Sequence, residues 1–410
     1  MDALPLIAIF CNSFPPERGA AAQRMHHIAM LLHGAGYRVE VVSSMPNYPQ
    51  GRIFPDYRGS LQRADIIDGI AVQRCWIYPS NSGSTAPRAA NLLSQMLSFR
   101  RLAFKRILKL RPALVIVSSP PLPMASAAVQ FFSKAGVPVL LNISDLWPLS
   151  AKALGAASES RVYRLLQSWE HRMYDSAGVI TGQSMAILEH VQAQLQTPKP
   201  QLLLRNLPAP VSEEIPMQQS APSDTLRIVY PGLLGHAQGL QALIAAIDWR
   251  VLNARLDIYG DGAEKAAIEA WIQANPLQPV RLLTPVSADE LRQRFWDYNA
   301  LLVPLISDIP GAVPSKLFTA IHAGLPVLYS AGGEGAAIVR EYKLGLVNAP
   351  GDYSGLAASI RALQALSHSD RSTWRAALQT IAAREFNRDE QDQRLLQFIR
   401  AFLAGAGNGR

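Results

Sequence analysis

A lysine in the first turn of a helix is the residue of this 410-residue chain that most needs a chemical explanation. Pro314-Ser315-Lys316-Leu317-Phe318-Thr319 opens a helical segment that closes at Gly324, before Pro326. Ser315 is a good N-cap there. Lys316 opposes the helix dipole by about 0.3–1 kcal/mol, and a bound phosphate would reverse that sign. Thr319 stands one turn further on the same face. Two loops have the composition to cradle phosphate. Ser13-Phe14-Pro15-Pro16-Glu17-Arg18-Gly19 leads from a strand into a helix N-terminus, where free amides favour an anion and Gly19 lets a ligand approach the backbone. The second loop, from Tyr230 to Gly239, carries Gly232, Gly235 and Gly239 around His236 and Gln238. Asp145, in Ser144-Asp145-Leu146-Trp147-Pro148, follows a strand, and a carboxylate so placed can act as general base or electrostatic partner. Plainer readings exist for each: a solvated lysine, Pro-stiffened turns, and an Asx turn or helix cap for Asp145.

Strands and helices must hold these residues. Short apolar runs at Leu6–Phe10, Arg38–Ser43, Ala71–Ile77, Leu114–Val117, Val137–Asn142, Gly178–Thr181 and Leu202–Leu204 read as strands. Met25, Ile28, Ala29 and Leu32 mark a helix between the first two. A polar, Pro-rich linker is expected from Pro208 to Pro222. The pattern then restarts with Leu226–Tyr230, Arg255–Tyr259, Val280–Leu283, Ala300–Pro304 and Pro326–Tyr329. Two doubly wound parallel α/β sheets follow, with a last helix from Gln391 to Leu403 free to pack on either domain. Ligands of such sheets bind at the carboxyl edges of the strands, so the chemistry belongs in loops that follow strands.

Composition narrows the partners. The formal charge is +8 with 49% hydrophobic and 17% charged residues, an ordinary globule that favours anionic partners. Cys11 and Cys75 are too few for a disulfide scaffold and suit a reducing cytoplasm, and the N-terminus lacks the features of a signal peptide. The uncharged stretch Pro112–Ser133 is long enough to span a bilayer, but Ser118-Ser119-Pro120-Pro121 breaks it into strand, loop and helix. Between Arg88 and Arg111, Leu92, Met96, Phe99, Ala103, Ile107 and Leu110 line one helix face, while Arg101, Lys105 and Lys109 form a basic stripe. That stripe suits either an anionic membrane surface or plain solvent. No aromatic residues alternate with it, which argues against nucleic acid.

Taken together, Phe14–Gly19, Pro46-Asn47-Tyr48-Pro49-Gln50-Gly51, Ser118–Pro121, Asp145–Pro148, Gly235–Gly239, Pro314–Phe318, Ala323–Val327 and Gly345–Val347 resemble the retaining glycosyltransferases of family 4, which have the GT-B fold. The similarity is nearest to the branch that builds bacterial surface polysaccharides, such as O-antigen amino-sugar transferases. It implies two Rossmann-like domains facing across a cleft, an acceptor domain over 1–207 and a donor domain over 208–387, with a final helix, about 388–410, crossing back to the first. It implies a nucleotide-sugar donor, expected to carry UDP, a lipid-linked or saccharide acceptor, no metal and no cofactor. On that resemblance Gly19 lies near the donor sugar, Asp145 occupies the catalytic loop, and Gly235, His236, Gln238 and Lys316 surround the diphosphate. Thr284, Pro285 and Val286 flank the base. Many members have two glutamates flanking seven residues; here Gly311 and Thr319 hold those positions, and the loop at Gly235 lacks the usual basic residues. The expected function is a cytoplasmic, membrane-associated glycosyltransferase of polysaccharide synthesis. The alternative is a silent protein of the same fold that serves as a scaffold.

Overall fold

The computed structural model describes residues 4–82, 84–153, 160–209 and 225–407. The greater part of the expected linker Pro208–Pro222 lies outside the described residues. Contacts divide the chain into two compact units, Met1–Arg205 with Glu390–Arg410, and Asn206–Asp389.

The first unit holds an eight-stranded sheet. Its strands are β1 (Leu6–Phe10), β2 (Arg38–Ser44), β3 (Gln62–Ile67), β4 (Ile70–Cys75), β5 (Leu114–Ser119), β6 (Val139–Ile143), β7 (Val179–Gly182) and β8 (Gln201–Leu203), in the order β3-β4-β2-β1-β5-β6-β7-β8. All pairs are parallel except β3 with β4. β3 was not legible as a strand because its half-exposed charged face hides the alternation. Its hairpin signal is in plain sight, however. Asp68-Gly69 joins β3 to β4 with positive φ at both residues (49° and 81°), as a two-residue hairpin turn requires.

Helices cover both faces of this sheet. α1 (Ala20–Gly34) buries Met25, Ile28, Ala29 and Leu32 as its spacing predicts. α2 (Thr85–Phe99) continues through a π-helical turn at Arg100–Phe104 into Lys105–Lys109. Phe99, Ala103, Phe104 and Ile107 are buried there, whereas Arg101, Lys105 and Lys109 are exposed. The helix is thus amphipathic as expected, and the wide turn brings Phe104 onto its buried side as well. His26 and His27 of α1 pair with Asp68 and Asp392. The segment after Pro112 is strand, loop and helix, and among the described residues no helix is long and apolar enough to cross a membrane.

The second unit holds a parallel six-stranded sheet of β9 (Leu226–Leu233), β10 (Ala254–Asp261), β11 (Val280–Leu283), β12 (Ala300–Pro304), β13 (Val327–Ser330) and β14 (Gly345–Asn348), ordered β11-β10-β9-β12-β13-β14. The final helix, Arg388–Gly407, belongs to the first unit for most of its length. Its Leu395 and Ile399 are buried in the core that also contains Ile7 and Ile9 of β1 and Met25 and Ile28 of α1.

Ile399 is 0% exposed in that core, so Ile399→Ala should cost about 2–5 kcal/mol in urea unfolding of the first unit. A cost near that of a surface substitution would mean that the helix does not dock there.

Candidate functional site

In an open α/β sheet the ligand crevice lies where the strand order reverses. In the second unit this point falls between β9 and β12. The loops after those two strands are tied together: Ile306 donates its amide to the Ala237 carbonyl at 3.0 Å, and a Cβ on Gly239 (φ +57°) would collide with Ile306. Lys316 begins the helix Lys316–His322, which leads away from the β12 loop.

The ammonium of Lys316 lies 4.9 Å from the centroid of the Tyr230 ring. Gly232 beneath it has φ +126°, and a Cβ there would come within 2.8 Å of Lys316 Cε and 3.0 Å of Nζ. Glycine is therefore needed twice at this position, for the backbone angle and for the lysine. No carboxylate pairs with Lys316 among the described residues, and burial lowers its pKa to about 8. The ring face offers a partial counter-charge. An anion is the natural completion of this arrangement.

Around it, the expected donor residues sit as follows. Gln238 Oε1 accepts from the Gly235 amide at 3.2 Å, so this side chain already occupies one loop N–H. His236 is exposed, with Nδ1 3.9 Å from Glu264. Thr319 Oγ1 donates to the Ser315 carbonyl at 3.2 Å, one turn back on its own helix. Ser315 occupies the N-cap position, but its backbone is helical and its side chain makes no cap bond, contrary to the expectation of a good cap. Gly311 has φ +76°, a conformation that a glutamate at that position would adopt only under strain. Thr284, Pro285 and Val286 follow β11, with the first two exposed.

In the first unit, Gly19 precedes α1, and a Cβ on it would meet the Tyr48 ring at 3.2 Å. Two buried ionisable side chains that sequence reasoning missed hold this region. Glu17 Oε1 accepts the amides of Asn47 (2.9 Å) and Tyr48 (2.8 Å), and burial raises its pKa above the usual carboxylate range. Arg74, fully buried on β4, donates to the carbonyls of Phe14 and Pro15 and pairs with Asp65 at 3.1 Å. The motifs Phe14–Gly19 and Pro46–Gly51 are thus cross-linked through Glu17. Asp145 follows β6, accepts from Ser150 Oγ, and has its pKa raised by burial. The adjoining Trp147 ring lies 5.6 Å from the Arg88 guanidinium. Among the described residues no cluster of His, Cys, Asp and Glu is arranged to hold a metal.

Comparison with known proteins follows this geometry. Residues 19–206 match the model of a glycosyl transferase 4-like domain, and residues 225–365 match that of glycosyl transferases group 1. The chain is 26% identical over 336 residues to the "Putative colanic acid biosynthesis glycosyl transferase WcaI" of Escherichia coli (strain K12), covering 78% of this chain and 81% of that protein. In structure it is similar to sucrose-phosphate synthase from Thermosynechococcus elongatus (TM-score 0.72, 17% identity, 98% and 100% of the two chains covered). It is also similar to WaaG, a glycosyltransferase involved in lipopolysaccharide biosynthesis (0.64, 15%, 94% and 98%). A third likeness is to Anabaena HepE in complex with UDP and glucose (0.65, 13%, 97% and 100%). These structural likenesses are of fold.

The state of Lys316 sets a pH dependence. An anion bound beside the ammonium raises its pKa, so binding is tightest while Lys316 is protonated and weakens as pH rises through about 8. Calorimetric titration with UDP from pH 7 to 10 should show affinity falling by up to about tenfold per pH unit above that point. Lys316→Ala should lower affinity about ten- to hundredfold at pH 7 and flatten the profile. A wild-type profile already flat through pH 8 would separate Lys316 from the phosphates.

Proposed function

Starting from a chain whose halves are a GT4-like domain and a group 1 glycosyltransferase domain in one GT-B fold, we propose a retaining transfer of a sugar from a UDP-sugar to a lipid-linked or saccharide acceptor in cell-surface polysaccharide synthesis. The observation that carries the reading is the Lys316 ammonium, seated on Tyr230 and Gly232 at the switch point with no carboxylate beside it. The names of WcaI and WaaG support the polysaccharide setting. Residues 208–387 take the donor, and residues 1–207 with the final helix, 388–410, take the acceptor.

Departure of the diphosphate is the step that the second unit serves. Lys316 and the amides of the Gly235–Gly239 loop, with His236 and Gln238, stabilise the charge that develops on the leaving oxygen, and no metal is needed for it. Thr284, Pro285 and Val286 flank the base. Thr319 offers a ribose hydroxyl a neutral acceptor, worth about 0.5–1.5 kcal/mol against about 1.5–3 for a charged one. The acceptor hydroxyl attacks from the face that the diphosphate leaves, near Gly19, and Asp145 takes its proton. Burial favours that: a carboxylate with a raised pKa is a stronger base. Arg101, Lys105 and Lys109, together with exposed Leu93 and Leu97 on the preceding turns, provide a peripheral contact with the inner face of an anionic membrane.

One set of observations favours a second reading, a silent scaffold. Gln238 closes over the Gly235 amide, and Thr319 spends its proton on its own helix. Calorimetry separates the two: the enzyme binds UDP and slowly hydrolyses its donor, whereas the scaffold binds none.

Asp145→Asn should reduce transfer about a hundredfold or more while UDP affinity stays unchanged. Near-normal turnover would leave Asp145 as no more than the partner of Ser150. Replacing Arg101, Lys105 and Lys109 with Glu should release the protein from sedimenting phosphatidylglycerol vesicles, and undiminished sedimentation would exclude the stripe as the contact.

A further inference from the structure

The first unit has its own switch point, between β1 and β5, where the strand order reverses. α2 is anchored on both sides of it. Gln95 reaches the carboxyl ends of β1 and β2, donating to Asn12 Oδ1 at 2.8 Å and to Ser44 Oγ at 2.7 Å. Arg88, two turns earlier on the same helix, reaches the loop after β6 and lies over the Trp147 ring at 5.6 Å. The helix thus runs from the ends of β1 and β2 to the loop after β6, across the strand ends between which an open α/β sheet takes its ligand.

Asn12, two residues after β1, is exposed in that frame. One end of its amide is held by Gln95, and the other makes no hydrogen bond among the described residues. Gln95 is 1% exposed, yet its Oε1 is buried without a partner. Exchanging oxygen and nitrogen on both amides preserves the contacts to Asn12 and Ser44 and still leaves one polar atom of Gln95 unpaired. In either orientation a buried amide is spent on fixing an exposed one. A buried polar atom left unpaired costs about 1–3 kcal/mol.

We infer that Asn12 is a hydrogen-bonding contact for a hydroxyl of the saccharide part of the acceptor, and that Gln95 is the positioning residue that orients it. The inference rests on the transferase reading above and names residues for its acceptor side. A hydroxyl is the group that suits it, because it can donate to or accept from whichever end of the Asn12 amide faces outward. Ser44 fixes the rear of the pair, so Gln95 acts on the acceptor only through Asn12.

The test follows transfer from a tritiated panel of UDP-hexoses and UDP-N-acetylhexosamines into butanol-extractable lipid from membranes of the source cells. Asn12→Ala should raise the KM for the lipid fraction about three- to tenfold, with UDP affinity unchanged. Gln95→Leu, close in volume, should raise the same KM. Added to Asn12→Ala it should raise it no further, because a relay through one contact is not additive. A Gln95→Leu effect that persists in full on the Asn12→Ala background, or an Asn12→Ala protein with wild-type KM, overturns the inference alone. Wild-type protein that transfers label from no donor of the panel, neither into the lipid fraction nor into water-soluble saccharide, sinks the transferase reading, and the inference with it.

Discussion

A positive charge with no negative partner is the constraint around which the second unit is arranged. A lysine withdrawn from water loses hydration that a carboxylate would ordinarily replace. At Lys316 the replacement is incomplete: the Tyr230 ring at 4.9 Å returns part of the loss, and the depressed pKa records the remainder. The strands beneath adapt to this. Gly232 clears space for the lysine stem, and the neighbouring Gly260 clears space for the Gly232 backbone, since a Cβ on it would lie 2.2 Å from the Gly232 carbonyl. Sequence, backbone angle and electrostatics agree on a seat that an anionic ligand completes.

The first unit treats its buried charges in the opposite way. Glu17 takes two backbone amides on Oε1, and Arg74 is held by two backbone carbonyls and Asp65. Neither is poised for a ligand; both fix loops. The effect is to make the Phe14–Gly19 and Pro46–Gly51 segments one rigid edge, with the Tyr48 ring against Gly19. Glu17 is bonded to the backbone of the loops it positions, whereas Lys316 rests on an aromatic ring. That difference separates Lys316 from Glu17 more clearly than residue type does.

What was legible in the sequence follows from how local each signal is. The central strands of both sheets are continuous apolar runs, and buried parallel strands can hardly look otherwise, so they could be read with only their ends displaced. β3 alternates in a half-exposed, charged hairpin, and β14 is a short edge strand, so each lacks that signal. Lys316 could be read because it offends a local rule at a helix start. Glu17, Arg74 and Gln95 could not, because the loop and strand-end groups they hold lie 30 to 83 residues away, only Asp65 of Arg74's partners is near, and nothing local distinguishes them from surface residues. Asp145 stands between. Its place after a strand was legible, but its bond to Ser150 keeps the plainer role of a turn residue alive beside the catalytic one.

The departures at Thr319 and Gly311 gain a physical meaning from the backbone. Gly311 is not a glutamate site that has lost its side chain: with φ +76° its loop takes a course that a glutamate would resist. Thr319 likewise turns its proton back to Ser315, leaving only acceptor lone pairs outward. On the proposed reading, the second unit holds a diphosphate with Lys316 as its chief cation. Such a site has little redundancy. With several cations, the loss of one proton is buffered by its neighbours; with one, the affinity for a diphosphate follows the protonation of that group alone. A nucleotide seat that depends on Lys316 is consequently one whose grip is set by the burial that lowers the lysine's pKa. The glycines that create that burial belong to the site as much as the lysine does.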